Sequence, residues 1–415
     1  IHNNRTKINN LTIQNGSFGI MIWSDENSIS RCIIRYNSLN GTQIYFGDNN
    51  TIFDCRVYLN NYTGIGIGEY SDNNTISHCN ISNNGFSGVY LWKWSNNNTI
   101  LYCNITENIY GIELLHSDFN YIFQCNIFKN HNGTYSYESN NNNFSHCNIY
   151  SNNGDGMMFC GSNNNMVFNC NIYQNGINIP SNNGAIGLYG SNNIISYCNI
   201  SNNGYGIWIW GNTNIVYNNI FNNTLNVHDN GINIWNISKT SSTNIIGGPY
   251  LGGNYWSDYI GVDLNGDGLG DTNLPYNCSG NIQNGGDWLP LIEPNYAPVA
   301  NFSYSPLNPT DLDVINFTDL SYDSDGIIVN WTWSFGDGEI SYEQNPQHQY
   351  ADDGVYNVSL MVTDDDGATD SVTKQIIVSN VAPVANFSWN PLNPTDLDVI
   401  NFTDLSYDSD GIIVN

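Results

Sequence analysis

The residues best suited to binding chemistry form a short acidic stretch between positions 263 and 271. Five of them offer oxygen ligands at positions 1, 3, 5, 7 and 9 of the stretch: Asp263, Asn265, Asp267, Leu269 (through its carbonyl) and Asp271. Carboxylate, amide and carbonyl oxygens at this spacing suit the hard cation Ca²⁺. Position 12 is Leu274 rather than a bidentate glutamate, so the ion would be held more weakly or completed by residues elsewhere. The stretch therefore predicts a Ca²⁺ site, with an ion-free Gly/Asp-rich turn as the alternative.

Cysteine is the second candidate for chemistry, because it recurs every 22–28 residues at Cys32, Cys55, Cys79, Cys103, Cys125, Cys147, Cys170 and Cys198. A disulfide framework, a thiolate ladder for a metal and a column of small buried side chains all fit such a series. One cysteine per repeat at a constant phase favours packing, and Asn218 is expected to take the same column in a later repeat. In the pairs His78-Cys79 and His146-Cys147, adjacent strand residues face opposite sides, which argues against joint metal binding.

Aromatic side chains form a second regular series, two to four residues after a glycine or small residue in most repeats. Its members are Trp23, Tyr45, Trp92, Tyr137, Tyr189 and Trp210, and Gly68, Leu115 and Cys160 take the corresponding positions in the other repeats. If they share one outward column, their faces could stack on sugar rings or pack against a partner. The alternative is an aromatic ladder that only stiffens the sheet.

Catalytic groups are harder to find. Bases are few, and acids such as Glu113 and Asp155 show no clustered motif. Hydrolases with this kind of architecture need paired carboxylates on one face. The sequence therefore favours a non-catalytic role, with a polysaccharide-active lyase or hydrolase as the alternative.

The elements that position these residues follow from the repeat itself. Each unit holds short alternating segments punctuated by Asn and Gly, and a coil of this length cannot bury its own apolar face. Stacked coils share one core, which predicts parallel strands with Ile76, Ile81, Val89 and Leu91 in register with their counterparts. An Asn stands five residues before each cysteine, from Asn27 to Asn193, and is expected to form turns and amide ladders. We expect an all-β fold with a right-handed parallel β-helix of nine or ten rungs.

Two family resemblances add to this predicted fold. The repeat Ser-Asn-Asn-Asn-Thr-Ile-x-x-Cys-Asn-Ile resembles the NosD-type family, also called the carbohydrate-binding and sugar hydrolase repeat, over about residues 1–295. Gly252-Gly-Asn-Tyr-Trp-Ser-Asp-Tyr resembles its terminal cap, and the acidic stretch resembles EF-hand-like and dockerin loops. Trp331-Thr-Trp-Ser-Phe-Gly-Asp-Gly resembles a PKD domain, which implies an immunoglobulin-like β-sandwich.

The resulting domain boundaries are 1–250 for the β-helix, 251–295 for the cap, 296–380 for a PKD domain and 381–415 for a truncated second copy. Pro391 to Asn415 repeats Pro306 to Asn330 without a change. Because the chain starts and stops inside repeats, it is expected to be a fragment of a longer protein.

The net charge limits the classes of binding partner, and the glycosylation sequons indicate an exported protein. The net charge is −28, and Lys374 is the only Lys or Arg after Ala297. Such a surface repels nucleic acid and anionic lipid, and no hydrophobic run reaches the length of a membrane span. Many Asn-x-Ser/Thr sequons, with Asn104 and Asn316 as examples, fit a glycosylated exported protein.

Together these features predict an extracellular, cell-surface structural or adhesion protein. Its rigid rod would bind polysaccharide, neighbouring proteins or further copies of itself, and its PKD modules would act as spacers or contact domains. The module pairing resembles archaeal surface proteins, although bacteria also combine these parts. The resemblance to the NosD type adds a second alternative, a periplasmic copper-delivery protein, which predicts Cys, His or Met side chains converging at one exposed point.

Overall fold

The computed structural model describes residues 1–177 and 184–414. They form two compact units, Ile1–Pro294 and Asn295–Asn415. Each unit is described separately below.

The first unit is a right-handed stack of coils whose strands form three parallel sheets. The first sheet contains Lys7–Asn9, Ser28–Ser30, Thr51–Phe53, Thr75–Ser77, Thr99–Leu101, Tyr121–Phe123, Asn143–Ser145, Met166–Phe168, Ile194–Ser196 and Ile215–Tyr217. The second contains Thr12–Gln14, Ile33–Arg35, Arg56–Tyr58, Asn80–Ser82, Asn104–Thr106, Asn126–Phe128, Asn148–Tyr150, Asn171–Tyr173, Asn199–Ser201, Ile220–Asn222 and Tyr255–Trp256. The third contains Ile20–Ile22, Thr42–Tyr45, Ile65–Gly68, Ser87–Trp92, Tyr110–Leu115, Asn132–Tyr137, Met157–Cys160, Ile186–Leu188, Tyr205–Ile209 and Leu225–Asp229.

The core is a set of aliphatic columns, one or two from each sheet. Ile76 pairs in register with Ile100, Ile81 with Ile105, and Leu91 with Leu114. These side chains are fully buried. Every strand contributes its inward residues to this shared interior, so each coil is stabilised by its neighbours, as the alternation predicted.

Two buried asparagine ladders line the corners beside the third sheet. In the first ladder, the Asn98 N–H donates to Asn120 Oδ1 at 2.8 Å, and the Asn120 N–H donates to Asn142 Oδ1 at 2.8 Å. The same pattern runs through Asn27, Asn50, Asn74, Asn98, Asn120, Asn142, Asn165, Asn193, Asn214 and Asn233. The second ladder runs through Asn37, Asn60, Asn84, Asn108, Asn130, Asn152, Asn175, Asn203 and Asn223.

Of the two roles predicted for these asparagines, amide ladders and turns, the first is confirmed. They form amide ladders, but the left-handed backbone lies on the residue before them, for example Asn97 with φ 55° and Phe119 with φ 58°. Buried N–H groups must be paired, and a corner has no ladder of strand hydrogen bonds to pair them. The asparagine amide supplies the missing acceptor.

The cysteine column occupies the third corner, between the first and second sheets. All ten cysteines are free, and the eight of the column are fully buried. The Cys55 N–H donates to Cys79 Sγ at 3.4 Å, and farther along the Cys198 N–H donates to Asn219 Oδ1 at 2.9 Å. Asn219, not Asn218, therefore continues the column. Asn218 lies at the left-handed position that Tyr197 takes one coil earlier, with φ 54°.

The end of the coil stack is closed by a cap with two buried carboxyl groups. Asp229 accepts hydrogen bonds from Asn233 Nδ2 at 2.7 Å and from Trp235 Nε1 at 3.0 Å. Asp287 accepts from the Asn254 N–H at 2.7 Å and from Trp256 Nε1 at 2.9 Å. Burial raises the pKa of both groups, that of Asp287 to about 7. A pair of short strands, Thr240–Ser241 and Tyr250–Leu251, and the 3₁₀ turn Cys278–Gly280 complete the cap.

The second unit contains a β-sandwich. One sheet pairs Phe302–Ser305, Ile315–Asp319 and Gln347–His348; the other pairs Ile340–Ser341, Ile328–Ser334, Gly354–Asp364 and Thr369–Val378. Trp333 is fully buried between them and packs against Phe302 and Phe317 at 5.0 and 5.4 Å between ring centroids. Phe387–Asn390 and Asn401–Asp404 pair as a further hairpin, at the positions expected for a second copy.

Candidate functional site

The predicted aromatic series forms one column on the outward face of the third sheet. Strand register aligns Tyr45 with Gly68, Gly68 with Trp92, Trp92 with Leu115, and Leu115 with Tyr137. Trp23, Tyr189 and Trp210 directly follow strands of the same sheet and extend the column at its two ends. Exposure reaches 52% at Trp210, 47% at Tyr189 and 40% at both Trp23 and Tyr137. We call this column, from Trp23 to Trp210, the aromatic strip.

One end of the strip is a contact cluster. Trp23 stacks on Tyr45 at 4.7 Å between ring centroids, and Tyr45 meets Trp92 edge-on at 5.9 Å. A Cβ added to Gly68 would lie within 2.4–2.7 Å of three atoms of the Trp92 indole. Only glycine at this position lets the indole lie against the sheet, because any side chain would displace it. Tyr90 stacks on Trp92 at 4.6 Å between ring centroids, and the indole stays partly exposed.

The far part of the aromatic strip, at Tyr137, Tyr189 and Trp210, differs from the self-stacking ladders elsewhere on the rod. On the second sheet, Phe128, Tyr150 and Tyr173 stack in parallel at 5.0 Å, with interplanar angles of 3° and 1°. Such ladders cover each ring face with the next ring. Tyr137 instead meets only the edge of His116 at 5.7 Å, and Trp210 is half exposed. The strip leaves ring faces available to a ligand.

A second outward column, which was not predicted from the sequence, lies beside the strip. Register aligns Tyr90 with Glu113, Glu113 with Tyr135, and Tyr135 with Met158. Alternation places this column two residues before the strip in every strand, which is the signal that could have revealed it. Tyr110 packs on Tyr135 at 5.3 Å and widens this aromatic surface.

Two carboxyl groups are buried under this surface. Glu113 is 4% exposed, and its Oε2 accepts a hydrogen bond from Ser87 Oγ at 2.5 Å. Asp155 is 5% exposed, and its Oδ1 accepts the Gly184 N–H at 2.9 Å. Burial raises the pKa of both groups, that of Asp155 to about 6. Neither carboxyl forms an ion pair with a basic side chain in the part of the chain that the structure describes.

A depression of about 310 Å³ opens next to Asp155. Its walls are Asn132, Tyr135, Met158, Cys160 and Tyr189. Asn132 Oδ1 accepts the Asp155 N–H at 3.0 Å, so the aspartate is not itself a wall but contacts one of the wall residues. Tyr189 belongs to the aromatic strip, and Tyr135 belongs to the second column, so the depression joins the two.

The predicted Ca²⁺ stretch is held by its own hydrogen bonds. Asp263 accepts the N–H groups of Gly266 at 2.8 Å and Gly268 at 2.6 Å. Asp271 accepts from Asn265 Nδ2 at 2.9 Å, while Asp267 forms an ion pair with Lys239. The oxygen donors suit a hard cation, but an ion would compete with Lys239 for Asp267. Ca²⁺ binding here stays a prediction.

Calcium is expected to raise the melting temperature of the protein and to release heat in isothermal titration, because an ion that binds only the folded state stabilises it. Asp263→Ala together with Asp271→Ala should abolish both effects. Lys239→Gln, which removes only the competing cation, should preserve or strengthen them. Equal responses in all three proteins, or no response in the unmodified chain, would show that the stretch is an ion-free turn.

The remaining candidate residues are distributed over other surfaces. His78 lies on the outer corner and contacts Tyr102 at 4.9 Å, while Cys79 points into the core. No group of three His, Cys, Asp or Glu side chains placed to hold a metal ion occurs within residues 1–177 and 184–414. Asn104 is exposed on the second sheet, where its Nδ2 donates to Asn80 Oδ1 at 2.9 Å. Asn316 is exposed on the sandwich. Glycosylation of either stays a prediction.

The described residues include no helix with the length and apolar character needed to cross a membrane.

Comparison with known proteins assigns both units. Residues 93–261 match the family described as periplasmic copper-binding protein (NosD), and residues 1–128 match a right-handed β-helix region. Residues 295–378 match a PKD domain.

Individual relatives cover only parts of the chain. The pre-pro-metalloprotease PrtV of Vibrio cholerae is 38% identical over 123 residues, which are 29% of this chain and 12% of that protein. Its similarity falls in the PKD region. The PKD1 domain of Vibrio anguillarum Epp is 40% identical, with a TM-score of 0.19; the match covers 20% of this chain and 95% of that domain.

A second solved structure, ORF18 of Geobacillus virus E2, is 13% identical, with a TM-score of 0.47. The match covers 91% of this chain and 71% of the ORF18 chain. The family matches and the stacked parallel coils agree with each other. The chain is therefore a NosD-like, right-handed parallel β-helix repeat protein that carries a PKD β-sandwich domain.

Proposed function

We propose that this protein is an extracellular adhesion or scaffold protein whose β-helix binds polysaccharide along the aromatic strip. The observation that carries the proposal is the outward column of half-exposed rings from Trp23 to Trp210 on a single sheet. Contiguous exposed aromatic surface is costly in water and typical of binding surfaces. Sugar rings stack on such faces, and the rigid coil fixes the spacing of the rings.

The charge of the chain limits which polymers fit. A net charge of −28 repels uronate-rich and sulfated chains as it repels nucleic acid. The proposed ligand is therefore a glycan without a high density of negative charge.

The location and the second unit agree with this role. A β-helix with a PKD domain fits a surface or structural protein, and both family matches point to an extracellular or periplasmic location. The cell surface is the more specific location that we propose. There the PKD modules would hold the β-helix away from its anchor, or provide a second contact with sugar or protein.

A glycan array with the full chain tests the proposal. Trp92→Ala and Trp210→Ala should each weaken binding of the recognised glycan by about tenfold, since each removes one stacking face of ~1.4 kcal/mol. Tyr150→Ala is the matched control, because it removes an aromatic ring from the second sheet and should leave binding unchanged. Failure to bind any glycan, or equal binding by all variants, would refute the role of the strip.

Two other roles, self-association and catalysis on a polysaccharide, predict different experimental results. Self-association along the strip would appear in sedimentation velocity as a dimer that Trp210→Ala dissociates. A polysaccharide-active enzyme would need converging acids and bases. The hydrogen bonds of Glu113 and Asp155 instead lead to Ser87 and Gly184. Release of new chain ends from a bound polysaccharide would favour the enzyme.

A further inference from the structure

The depression lies beside a buried carboxyl group, that of Asp155, which a site for neutral sugars does not need. Asp155, 5% exposed, is hydrogen-bonded through its N–H to the wall residue Asn132, and its carboxyl group has no basic partner in the described residues. Buried carboxylates are normally paired, because an unpaired charge in an apolar site is costly. Glu113, 4% exposed, is a second buried carboxyl on the same sheet, at the position that Met158 takes two coils later.

The walls of the depression complement such a charge. Tyr135 and Tyr189 are aromatic, and Met158 is apolar, while Asn132 supplies an amide. Aromatic faces attract cations through the ring quadrupole, and a carboxylate supplies the counter-charge. The volume of about 310 Å³ is large enough for a sugar ring. Lys129 and His131, which lie close to the wall residue Asn132 in sequence, are exposed and are not wall residues.

We propose that this depression is a subsite for a sugar residue bearing a protonated amino group, with Asp155 as the counter-charge and Tyr135 and Tyr189 as the walls. The inference rests on the proposed function, and it specifies the substrate class as a glycan with free amino groups. An ammonium group in this position would remove the cost of the unpaired carboxylate. The acidic surface of the chain would also concentrate such a glycan near the strip.

Binding should pass through a maximum with pH. Below the pKa of Asp155, about 6, the carboxyl group is neutral and loses its attraction for the ammonium group. Above the pKa of the sugar ammonium, the ligand loses its charge. Cys160, Tyr135, Tyr110 and Tyr189 face the two carboxyls, and burial raises the pKa of each, so they stay protonated across this range.

The test compares hexamers of glucosamine and of N-acetylglucosamine by calorimetry with the full chain at pH 5, 6.5 and 8. We expect the glucosamine hexamer to bind tightest at pH 6.5. Asp155→Asn, which keeps the oxygen that accepts the Gly184 N–H, should weaken it about tenfold, or ~1.4 kcal/mol, and flatten the acid limb of the pH profile. Tyr189→Ala, on an exposed residue, should weaken binding without affecting the fold.

Two controls separate this site from its surroundings. Glu138→Gln removes an exposed carboxyl from the same face, and His131→Gln removes an exposed histidine of the neighbouring coil; both should bind like the unmodified chain. Equal affinity for the two hexamers, with no effect of Asp155→Asn, would overturn the amino-sugar subsite while leaving the aromatic strip intact. Binding of neither hexamer would also overturn the subsite. The glycan array would then separately test whether the aromatic strip binds another glycan.

Discussion

Replacing Asn120 by alanine is expected to lower the free energy of unfolding of the β-helix unit by about 3 kcal/mol. The Asn120 side chain accepts the Asn98 N–H at 2.8 Å and donates to Asn142 Oδ1 at 3.0 Å. Alanine removes both bonds and leaves the Asn98 N–H buried without an acceptor. The loss of a partner by a buried donor costs more than the bond itself contributes.

Asn126→Ala is the matched control. Asn126 belongs to the outward asparagine row of the second sheet, where its Nδ2 donates to Asn104 Oδ1 at 2.8 Å. Water can replace that bond, so the expected cost is below about 1 kcal/mol. Thermal unfolding measures the overall effect, and hydrogen exchange should show lost protection in the coils that contain Asn98 and Asn120. Equal destabilisation by the two variants would mean that the buried ladder is no more important than the exposed row.

The cap is expected to be more stable at pH 5 than at pH 8. Burial raises the pKa of Asp287 to about 7, above the ordinary value of about 3.9 for an unfolded chain. The folded protein therefore binds the proton more tightly than the unfolded chain. The contribution of this group to stability is fully present below about pH 4 and is lost as pH rises through 7, at up to ~1.4 kcal/mol per pH unit. The pKa of Asp229 is raised by burial in the same way.

Asp319 in the sandwich should contribute no such difference between pH 5 and pH 8, because its dependence on pH has the opposite sign and lies at lower pH. The pKa of Asp319 is lowered, because hydrogen bonds from Ser321, Gln344 and Trp331 outweigh the burial that acts to raise it. Its contribution is present above about pH 4 and is lost on acidification through the lowered pKa. Hydrogen exchange at pH 5 and pH 8, corrected for the intrinsic rate, resolves the two units. Asp287→Asn should reduce the pH response of the cap, and Asp54→Asn, on an exposed corner, should not. A cap that is less protected at pH 5 in the unmodified chain would contradict the sign.

The repeat period made the fold and the aromatic strip predictable. Alternation in each strand fixes which side chains face outward, and a constant phase along the chain places Tyr45, Trp92 and Tyr137 in one column. The core columns at Ile76, Ile81 and Leu91 followed from the same rule.

The errors and omissions have local causes. Asn218 and Asn219 are adjacent, and only the backbone shows which one accepts the Cys198 N–H. Sulfur and amide oxygen serve the same corner because both accept an N–H from the preceding coil. Glu113 and Asp155 looked like scattered acids, because burial and the absence of a basic partner among the described residues are properties of packing.

One coil is longer than its neighbours, and this has a consequence for the evolution and engineering of the rod. Cys170 and Cys198 are 28 residues apart, yet Met166 pairs in register with Ile194 and Asn171 with Asn199. The additional residues fall between Tyr173 and Gly184 and do not displace the strands on either side. Because each coil contacts only its nearest neighbours, one coil can therefore be lengthened without changing the packing of the others. In sequence, the additional residues end at Gly184, whose N–H donates to Asp155 Oδ1 at 2.9 Å, so under the proposed function a change of length here would alter recognition while the strands keep their register.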